Sequence, residues 1–256
     1  MRDPALPDLG GTVVLVTGAS GGVGAGIARR FAAAGAAVGV AYGTGADRAE
    51  ALVAELTAAG GRAVALAGDV RDPGACAALV DGCRERLGGL EHVVAAAGIQ
   101  PVADLPGMSV ADWRAVLDAD ATGTFATLQA AAPALPDGGS ITLVASIEGS
   151  RPERGHAHYA AAKAATVMLA RAAAVEYGTR IRVNSVSPGL VTRPGIEEQW
   201  PSGVARWRAA APLGELITPQ AVGDACVFLA SPMARCISGH DLVVDAGVSA
   251  VSGWAR

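Results

Sequence analysis

The 256-residue sequence has few aromatic residues, no excess of positive charge and no long apolar run. Aromatic residues make up only 4% of the chain, so stacking platforms for single-stranded nucleic acid are not expected. A formal net charge of −4 argues against nucleic acid and anionic membranes as main partners. The N-terminus lacks the apolar core of a signal peptide. We therefore expect a soluble cytoplasmic protein that binds a small molecule.

Cysteine is also sparse, and its spacing does not suggest a metal site. The four cysteines, Cys76, Cys83, Cys226 and Cys236, form no C-x-x-C pair and have no histidine-rich neighbourhood. Zinc sites use closely spaced cysteine and histidine ligands. We predict no metal site and expect the four thiols to be reduced and buried.

Lysine is the rarest charged residue. Of the 20 lysines and arginines, only Lys163 is a lysine, and it stands four residues after Tyr159. On a helix, residues i and i+4 share one face, so the ammonium can lie near the phenol and favour its anion. The pair suggests a proton-transfer device. A surface lysine beside an amphipathic tyrosine is the alternative, because Y-x-x-x-K also occurs by chance.

Short apolar runs alternate with longer alanine-rich stretches of helical period, which is typical of βα units that build a parallel sheet. This alternation predicts one domain over residues 1–256, an α/β fold with a Rossmann-type doubly wound parallel sheet of about seven strands and helices on both faces. Strands are predicted at 12–17, 37–42, 63–68, 91–96, 140–146, 181–186 and 241–245, and helices at 22–35, 46–60, 73–87, 110–133, 156–177 and 219–231.

Residues 190–217 do not fit the βα alternation. The segment contains several prolines and glycines and two tryptophans, Trp200 and Trp207. Long irregular connections in compact domains are often functional. We predict a substrate lid here, with a loosely packed surface excursion as the alternative.

A glycine-rich loop lies between the first predicted strand and the first predicted helix. Its sequence, residues 17–24, is Thr-Gly-Ala-Ser-Gly-Gly-Val-Gly. Glycines allow a tight turn and the close approach of a pyrophosphate, whose charge meets the free N–H groups at the helix start. The loop predicts dinucleotide binding.

The last residue of the second strand should reach the adenosine ribose. An acidic side chain there would accept from a ribose 2′-hydroxyl and repel a 2′-phosphate. Tyr42 is neutral, and Gly43 and Thr44 follow it. Arg48 comes later, without clearly supplying a phosphate clamp. The pattern favours NADP over NAD.

These motifs together resemble the short-chain dehydrogenase/reductase family, in its YxxxK ketoreductase-like branch. The resemblance rests on the loop at 17–24, on Tyr159 and Lys163, and on matches at 68–70, 95–98, 184–189 and 239–245. It covers essentially the whole chain. It implies a catalytic serine at Ser146, thirteen residues before Tyr159.

The implied chemistry is a hydride transfer assisted by proton transfer. Ser146 would donate to a substrate carbonyl oxygen, Tyr159 would deliver the proton, and Lys163 would lower the pKa of Tyr159 and hold the nicotinamide ribose. The loop and the resemblance predict cofactor contacts at Gly18, Ser20, Gly22, Val23, Gly24, Tyr42, Gly43, Thr44, Asp69, Val70, Ala96, Gly98, Tyr159, Lys163, Pro188, Gly189 and Val191.

The chain departs from the family pattern near this site. Asp120 replaces the asparagine that positions a water in the family's proton relay, and a carboxylate can accept from that water but cannot donate. We include Asp120 among the candidate catalytic residues. Ala95 and Ala96 stand where the family has two asparagines, and Arg193 stands where a threonine is usual.

Four charged or polar residues, Arg151, Arg154, His156 and His158, flank Tyr159 in the sequence. We expect them to form a solvated polar rim. The alternative is that Arg151 or His158 contacts an acidic substrate or the phosphate arm of a carrier.

The resulting prediction is an NADP-dependent reductase that converts a ketone, such as a 3-oxoacyl or polyketide-like compound, to a secondary alcohol. An NAD-dependent alcohol dehydrogenase and a cofactor-binding protein without redox activity are the alternatives. The resemblance also implies a homotetramer that assembles through the helix bearing Tyr159.

Overall fold

The structure, a computed structural model, describes residues 5–251. Seven parallel strands form one sheet in the order β3-β2-β1-β4-β5-β6-β7. This order confirms the predicted doubly wound sheet. The strands are β1 (Val13–Thr17), β2 (Ala37–Tyr42), β3 (Ala63–Ala67), β4 (His92–Ala95), β5 (Ser140–Val144), β6 (Arg182–Pro188) and β7 (Asp241–Val244).

Helices cover both faces of the sheet. Successive residues of β1 point to opposite faces, so Val14 and Val16 pack with α1 and α9 while Val13 and Leu15 pack against α3, α5 and α6. The helices are α1 (Gly22–Ala33), α2 (Ala46–Ala58), α3 (Pro73–Leu87), α4 (Val110–Val116), α5 (Gly123–Ala131), α6 (Ala157–Tyr177), α7 (Ile196–Gln199), α8 (Pro201–Ala210) and α9 (Pro219–Ala230).

The predicted helix at 110–133 differs from the structure. It begins as α4 behind a capping box made by Ser109 and Asp112, but a π-helical turn at Leu117–Thr122 separates α4 from α5. A π turn adds a residue to one helical turn, which the apolar period does not reveal, and such turns are frequent at functional sites. Asp120 lies within this turn.

Half of the segment at 190–217 is helical. It contains α7 and α8, and a bridge between Val191 and Ile217 joins its two ends. Its own small apolar cluster contains Ile196, Val204 and Leu216. The segment is therefore packed, unlike the loose excursion considered from the sequence.

Two further expectations can be compared with the described residues. Cys76, Cys83 and Cys226 are buried free thiols, but Cys236 is exposed, so the expectation that all four are buried is wrong. Over residues 5–251, the helices are too short or too polar to cross a membrane.

Candidate active site

The glycine loop after β1 forms an open cradle at the N-terminus of α1. Gly18 has a positive φ of +67°, and its Cα faces the backbone of Ala97. A side chain on Gly24 would collide with the carbonyl oxygen of Gly18. Gly21, the N-cap of α1, has no side-chain capping bond. The first N–H groups of α1 are therefore free of an intrahelical partner, and the cradle fits a pyrophosphate.

A buried hydroxyl connects this loop to the end of β4. Thr17 Oγ1 accepts hydrogen bonds from the backbone N–H groups of Ala96 (3.0 Å) and Ala97 (3.2 Å). The threonine thus fixes the backbone where the family has asparagine side chains. The position of Thr17 at the start of the glycine motif was the only sequence signal for this role. The sequence does not show which N–H groups donate to its hydroxyl.

An arginine lies beside the predicted adenosine end. Ser20 Oγ donates to the carbonyl oxygen of Thr44 at 3.0 Å, and Arg48 Nε donates to the carbonyl oxygen of Ser20 at 3.0 Å. The guanidinium also lies against Gly45, a left-handed N-cap with φ of +82°. The sequence did not place Arg48 here, because the turn before α2 brings it back to the glycine loop.

The remaining residues predicted near the adenine lie after β3. The Asp69 carboxylate accepts hydrogen bonds from the Arg71 guanidinium, and this contact holds the pKa of Asp69 below its usual value. The side chain of Val70 packs against Gly123, where a Cβ would meet it at 2.7 Å.

Ser146, Tyr159 and Lys163 come together at the carboxyl edge of the sheet. Ser146 follows β5, and its hydroxyl interacts with that of Tyr159. Tyr159 and Lys163 lie one turn apart on α6, with Lys163 Nζ 5.4 Å from the centre of the phenol ring. Lys163 Nζ also donates to the carbonyl oxygen of Val144 at 3.0 Å. The predicted i, i+4 arrangement is present.

Asp120 makes an ion pair with this lysine. Asp120 Oδ2 lies 3.1 Å from Lys163 Nζ, and Asp120 Oδ1 accepts a hydrogen bond from the Ile99 N–H at 2.7 Å. The aspartate is fully buried. Gly98 leaves space for it, since a Cβ there would lie 2.6 Å from Asp120 Oδ2. The carboxylate therefore directly balances the charge of the ammonium.

The pKa of Tyr159 is raised above its ordinary value of 10. Burial is the largest cause; the hydrogen bond from Ser146 opposes it, and the charges of Asp120 and Glu148 add to the increase. From the sequence we expected Lys163 to lower this pKa, but burial raises it, and Asp120 adds to the increase and balances the charge of the ammonium. The phenol is therefore protonated at neutral pH and can donate a proton.

The loop after β6 approaches the same edge. Pro188 ends β6, and the N–H of Gly189 donates to the carbonyl oxygen of Val244 at 2.9 Å. The Trp207 ring lies so close to Gly189 that a Cβ there would be 2.7 Å from Trp207 Cζ2. Trp207 Nε1 donates to the carbonyl oxygen of Glu215 at 2.9 Å. Trp207 therefore packs α8 onto this loop.

The expected polar rim is only partly present. His158 is fully buried, so the expectation that it is solvated is wrong. The guanidinium of Arg151 donates to the backbone carbonyl oxygens of Ser249 and Val251. His156 is half-buried and lies 3.0 Å from Glu148. The sequence reading did not select Glu148, although it stands two residues after Ser146.

This fold and site define a Rossmann-type oxidoreductase. A family model described as enoyl-(acyl carrier protein) reductase matches residues 18–249. The chain belongs to the short-chain dehydrogenase/reductase family. Over residues 5–251, no group of three or more histidine, cysteine, aspartate and glutamate side chains could hold a metal ion.

Three relatives show how far the similarity extends. The chain is 39% identical to cis-4-hydroxycyclohexanecarboxylate dehydrogenase of Sinomonas cyclohexanicum, with 93% of this chain and 97% of that protein covered. It is 35% identical to 2,5-dichloro-2,5-cyclohexadiene-1,4-diol dehydrogenase of Sphingobium indicum, with 94% and 97% covered. The crystal structure of a dehydrogenase/reductase from Sinorhizobium meliloti superimposes with a TM-score of 0.86 at 35% identity, with 94% and 96% covered.

Proposed function

We propose that this protein is an NADP-dependent reductase that converts a ketone to a secondary alcohol. The observation that carries the proposal is the meeting of Ser146, a protonated Tyr159 and Lys163 at the carboxyl edge of the sheet. Ligands bind at that edge in open α/β sheets. The 3-oxoacyl and polyketide-like ketones expected from the sequence remain within this class.

Each side chain has a separate task in the reaction. Ser146 Oγ donates a hydrogen bond to the substrate carbonyl oxygen, and Tyr159 transfers its phenolic proton to the same oxygen. NADPH supplies the hydride to the carbonyl carbon when it is bound. Lys163, held by Val144 and Asp120, supports the ribose and the phenol. Asp120 is a positioning residue in this scheme.

The protonation state of Tyr159 supports reduction. Because its pKa is raised, the phenol keeps at neutral pH the proton that ketone reduction uses, whereas alcohol oxidation needs the phenolate as a base. The two curated relatives are named as dehydrogenases of ring alcohols. Their names favour oxidation of a secondary alcohol as the second candidate.

The preference for NADP is supported at the adenosine end. Tyr42 carries no negative charge there, and Arg48 lies beside Ser20 and Thr44. A guanidinium can bind a phosphate through two parallel hydrogen bonds. The cofactor would be held by the glycine loop from Gly18 to Gly24 and by the other contact residues predicted from the sequence.

Two other features belong to this proposal. The segment at 190–217 covers the substrate as a lid, supported by the contact of Trp207 with the loop at Gly189.

A homotetramer is supported by exposed apolar side chains on α5 and α6, namely Phe125, Met168 and Val175. Sedimentation of the purified protein measures the assembly, and a monomer would contradict it.

The test of the function uses purified protein with NADPH and NADH and a panel of ketones and secondary alcohols. We expect ketones to oxidise NADPH at neutral pH. We also expect the dissociation constant measured by quenching of protein fluorescence to be lower for NADPH than for NADH. Alcohol oxidation with NAD⁺ alone would favour the second candidate. Cofactor binding without turnover of any compound would favour a non-redox role.

A further inference from the structure

A polar cluster lies beside the reacting groups and has no task in the proposed transfer of hydride and proton. Glu148 Oε1 accepts a hydrogen bond from Gln100 Nε2 at 2.8 Å, and Glu148 Oε2 lies 3.0 Å from His156 Nδ1. We call Gln100, Glu148 and His156 the Glu148 cluster. The side chains of Glu148 and His156 are each 16% exposed, so solvent or a ligand can still reach them.

The cluster belongs to the edge of the sheet where the substrate is expected. Its members come from three different connections, after β4, after β5 and before α6. The Glu148 N–H donates to Ser146 Oγ at 3.1 Å, and the His156 ring stands edge-on to the Tyr159 ring with centroids 6.2 Å apart. A carbonyl held by Ser146 and Tyr159 would have the Glu148 cluster as its neighbour.

The cluster can accept further hydrogen bonds. Each oxygen of a carboxylate has two acceptor positions, and Gln100 and His156 occupy one on each oxygen of Glu148. Burial raises the pKa of Glu148, His156 opposes this, and the charge of Glu153 adds to it. An additional donor from a ligand would stabilise the carboxylate, whereas an anionic ligand would be repelled.

We propose that Glu148, oriented by Gln100 and His156, binds a substrate hydroxyl group other than the one formed at the reacting carbon. The preferred substrates are then hydroxyketones, their products are diols, and ketones that carry a nearby carboxylate are disfavoured. This inference rests on the proposed ketone reduction and specifies its substrate class.

The test compares the parent protein with Glu148→Gln on four ketones with NADPH. The ketones are cyclohexanone, 2-hydroxycyclohexanone, 4-hydroxycyclohexanone and 4-oxocyclohexanecarboxylate. The amide keeps the shape of the carboxylate and removes its charge. We expect kcat/KM for the preferred hydroxyketone to fall about 10-fold or more, because a hydrogen bond to a charged group is lost. At neutral pH, where Tyr159 keeps its proton in both proteins, the change for cyclohexanone should stay within about twofold, and discrimination against the oxoacid should shrink.

A carboxylate on another helix provides the control. Glu85 on α3 is exposed and lies outside the Glu148 cluster, so Glu85→Gln should leave the order of substrates unchanged. An equal loss on all four ketones in Glu148→Gln would show that the cluster only holds the three connections together. If kcat/KM of the parent protein is equal for cyclohexanone and for both hydroxyketones, the inference is also overturned.

A binding measurement distinguishes failure of the proposed ketone reduction from failure of the proposed hydroxyl-binding site. If the parent protein reduces none of the ketones, calorimetry with NADP⁺ present compares 1,2- and 1,4-cyclohexanediol with cyclohexanol. Tighter binding of a diol that is lost in Glu148→Gln supports the inference even then. Equal affinities for the diols and cyclohexanol would overturn it.

Discussion

The proposed phosphate-binding region and the proposed catalytic region, which we call the phosphate end and the catalytic end of the site, are built in different ways. At the phosphate end, backbone N–H groups and missing side chains form the cradle, as at Gly18 and Gly24. At the catalytic end, side chains from separate connections meet, and Asp120 forms an ion pair with Lys163. The glycine loop resembles the family pattern, whereas Asp120 at the other end departs from it by adding a negative charge beside Lys163.

The difference follows from what each end requires. A backbone cradle depends on residues that are adjacent in the chain and tolerates no Cβ at its closest contacts. A cluster of side chains depends on the balance of charge among groups that are distant in the chain. We expect substitutions at the two ends to give different kinds of defect.

The largest effect should come from removing the proton donor at the catalytic end. Tyr159→Phe keeps the ring and removes the transferable proton, so kcat for ketone reduction should fall by about 10² or more with cofactor affinity nearly unchanged. Tyr177→Phe, on the same helix, is the matched control and should retain activity. Stopped-flow and steady-state assays measure the loss, and unchanged turnover in Tyr159→Phe would refute the proposed proton donor.

At the phosphate end, the defect should appear in stability before any cofactor is added. Gly24→Ala places a methyl group against the carbonyl oxygen of Gly18, whereas a Cβ at Gly22 meets no atom within 4 Å. Overpacking of this kind costs roughly 1–3 kcal/mol, so Gly24→Ala should lower Tm by several degrees. Gly22→Ala is the control and should leave the Tm of the cofactor-free protein nearly unchanged. Equal Tm values for the two variants would show that the loop relaxes around the methyl group.

A smaller effect is expected from the charge of Asp120. Asp120 raises the pKa of Tyr159, so Asp120→Asn should lower it. Alcohol oxidation requires the phenolate and gains rate as pH rises through this pKa; reduction requires the phenol and loses rate there. Both transitions should move to lower pH, by roughly one unit. The pH profiles of kcat/KM in both directions measure the shift.

The control for this prediction lies in the same π turn. Asp118 is exposed, and Asp118→Asn should leave both profiles where they are in the parent protein. Profiles of Asp120→Asn that superimpose on those of the parent would mean that the ion pair with Lys163 has no influence on the phenol.

The smallest effect should be on cofactor choice. Arg48→Gln should weaken NADPH binding by about 10-fold, equivalent to about 1.4 kcal/mol, and leave NADH binding nearly unchanged. Tyr42→Asp, which places a carboxylate near the 2′-phosphate, should reverse the order of the two cofactors. Fluorescence titration gives the dissociation constants of NADPH and NADH for the parent protein and each variant. Arg84→Gln, an exposed substitution on α3, is the control, and a parallel loss of both cofactors in Arg48→Gln would argue against a phosphate contact.

The strands and most helices could be predicted because local signals define them. Alternating apolar runs marked each strand to within about two residues of its observed ends. The predicted helix starts at 110 and 219 match those of α4 and α9, which are capped by the side chains of Ser109 and Thr218. The π turn at Leu117–Thr122 was missed because the apolar period continues through it.

The candidate site could be predicted where spacing along one element carried the information. Tyr159 and Lys163 share one helix face, and Ser146 follows a strand that is recognisable from its sequence. Arg48 and Glu148 were missed because turns bring them to the site. His158 was misplaced because polar residues are expected to be solvated, whereas this ring is fully buried and its Nδ1 accepts a hydrogen bond from the Tyr159 N–H at 2.9 Å.

The sequence by itself determined the parallel sheet, the glycine cradle and the positions of Ser146, Tyr159 and Lys163, because these depend on periodicity and on short spacings within one element. Only the tertiary structure decided that Asp120 would pair with Lys163 and that Gln100, Glu148 and His156 would meet beside Tyr159. The physical reason is that charge interactions depend on distance and burial. Those are set by how distant connections pack at the sheet edge.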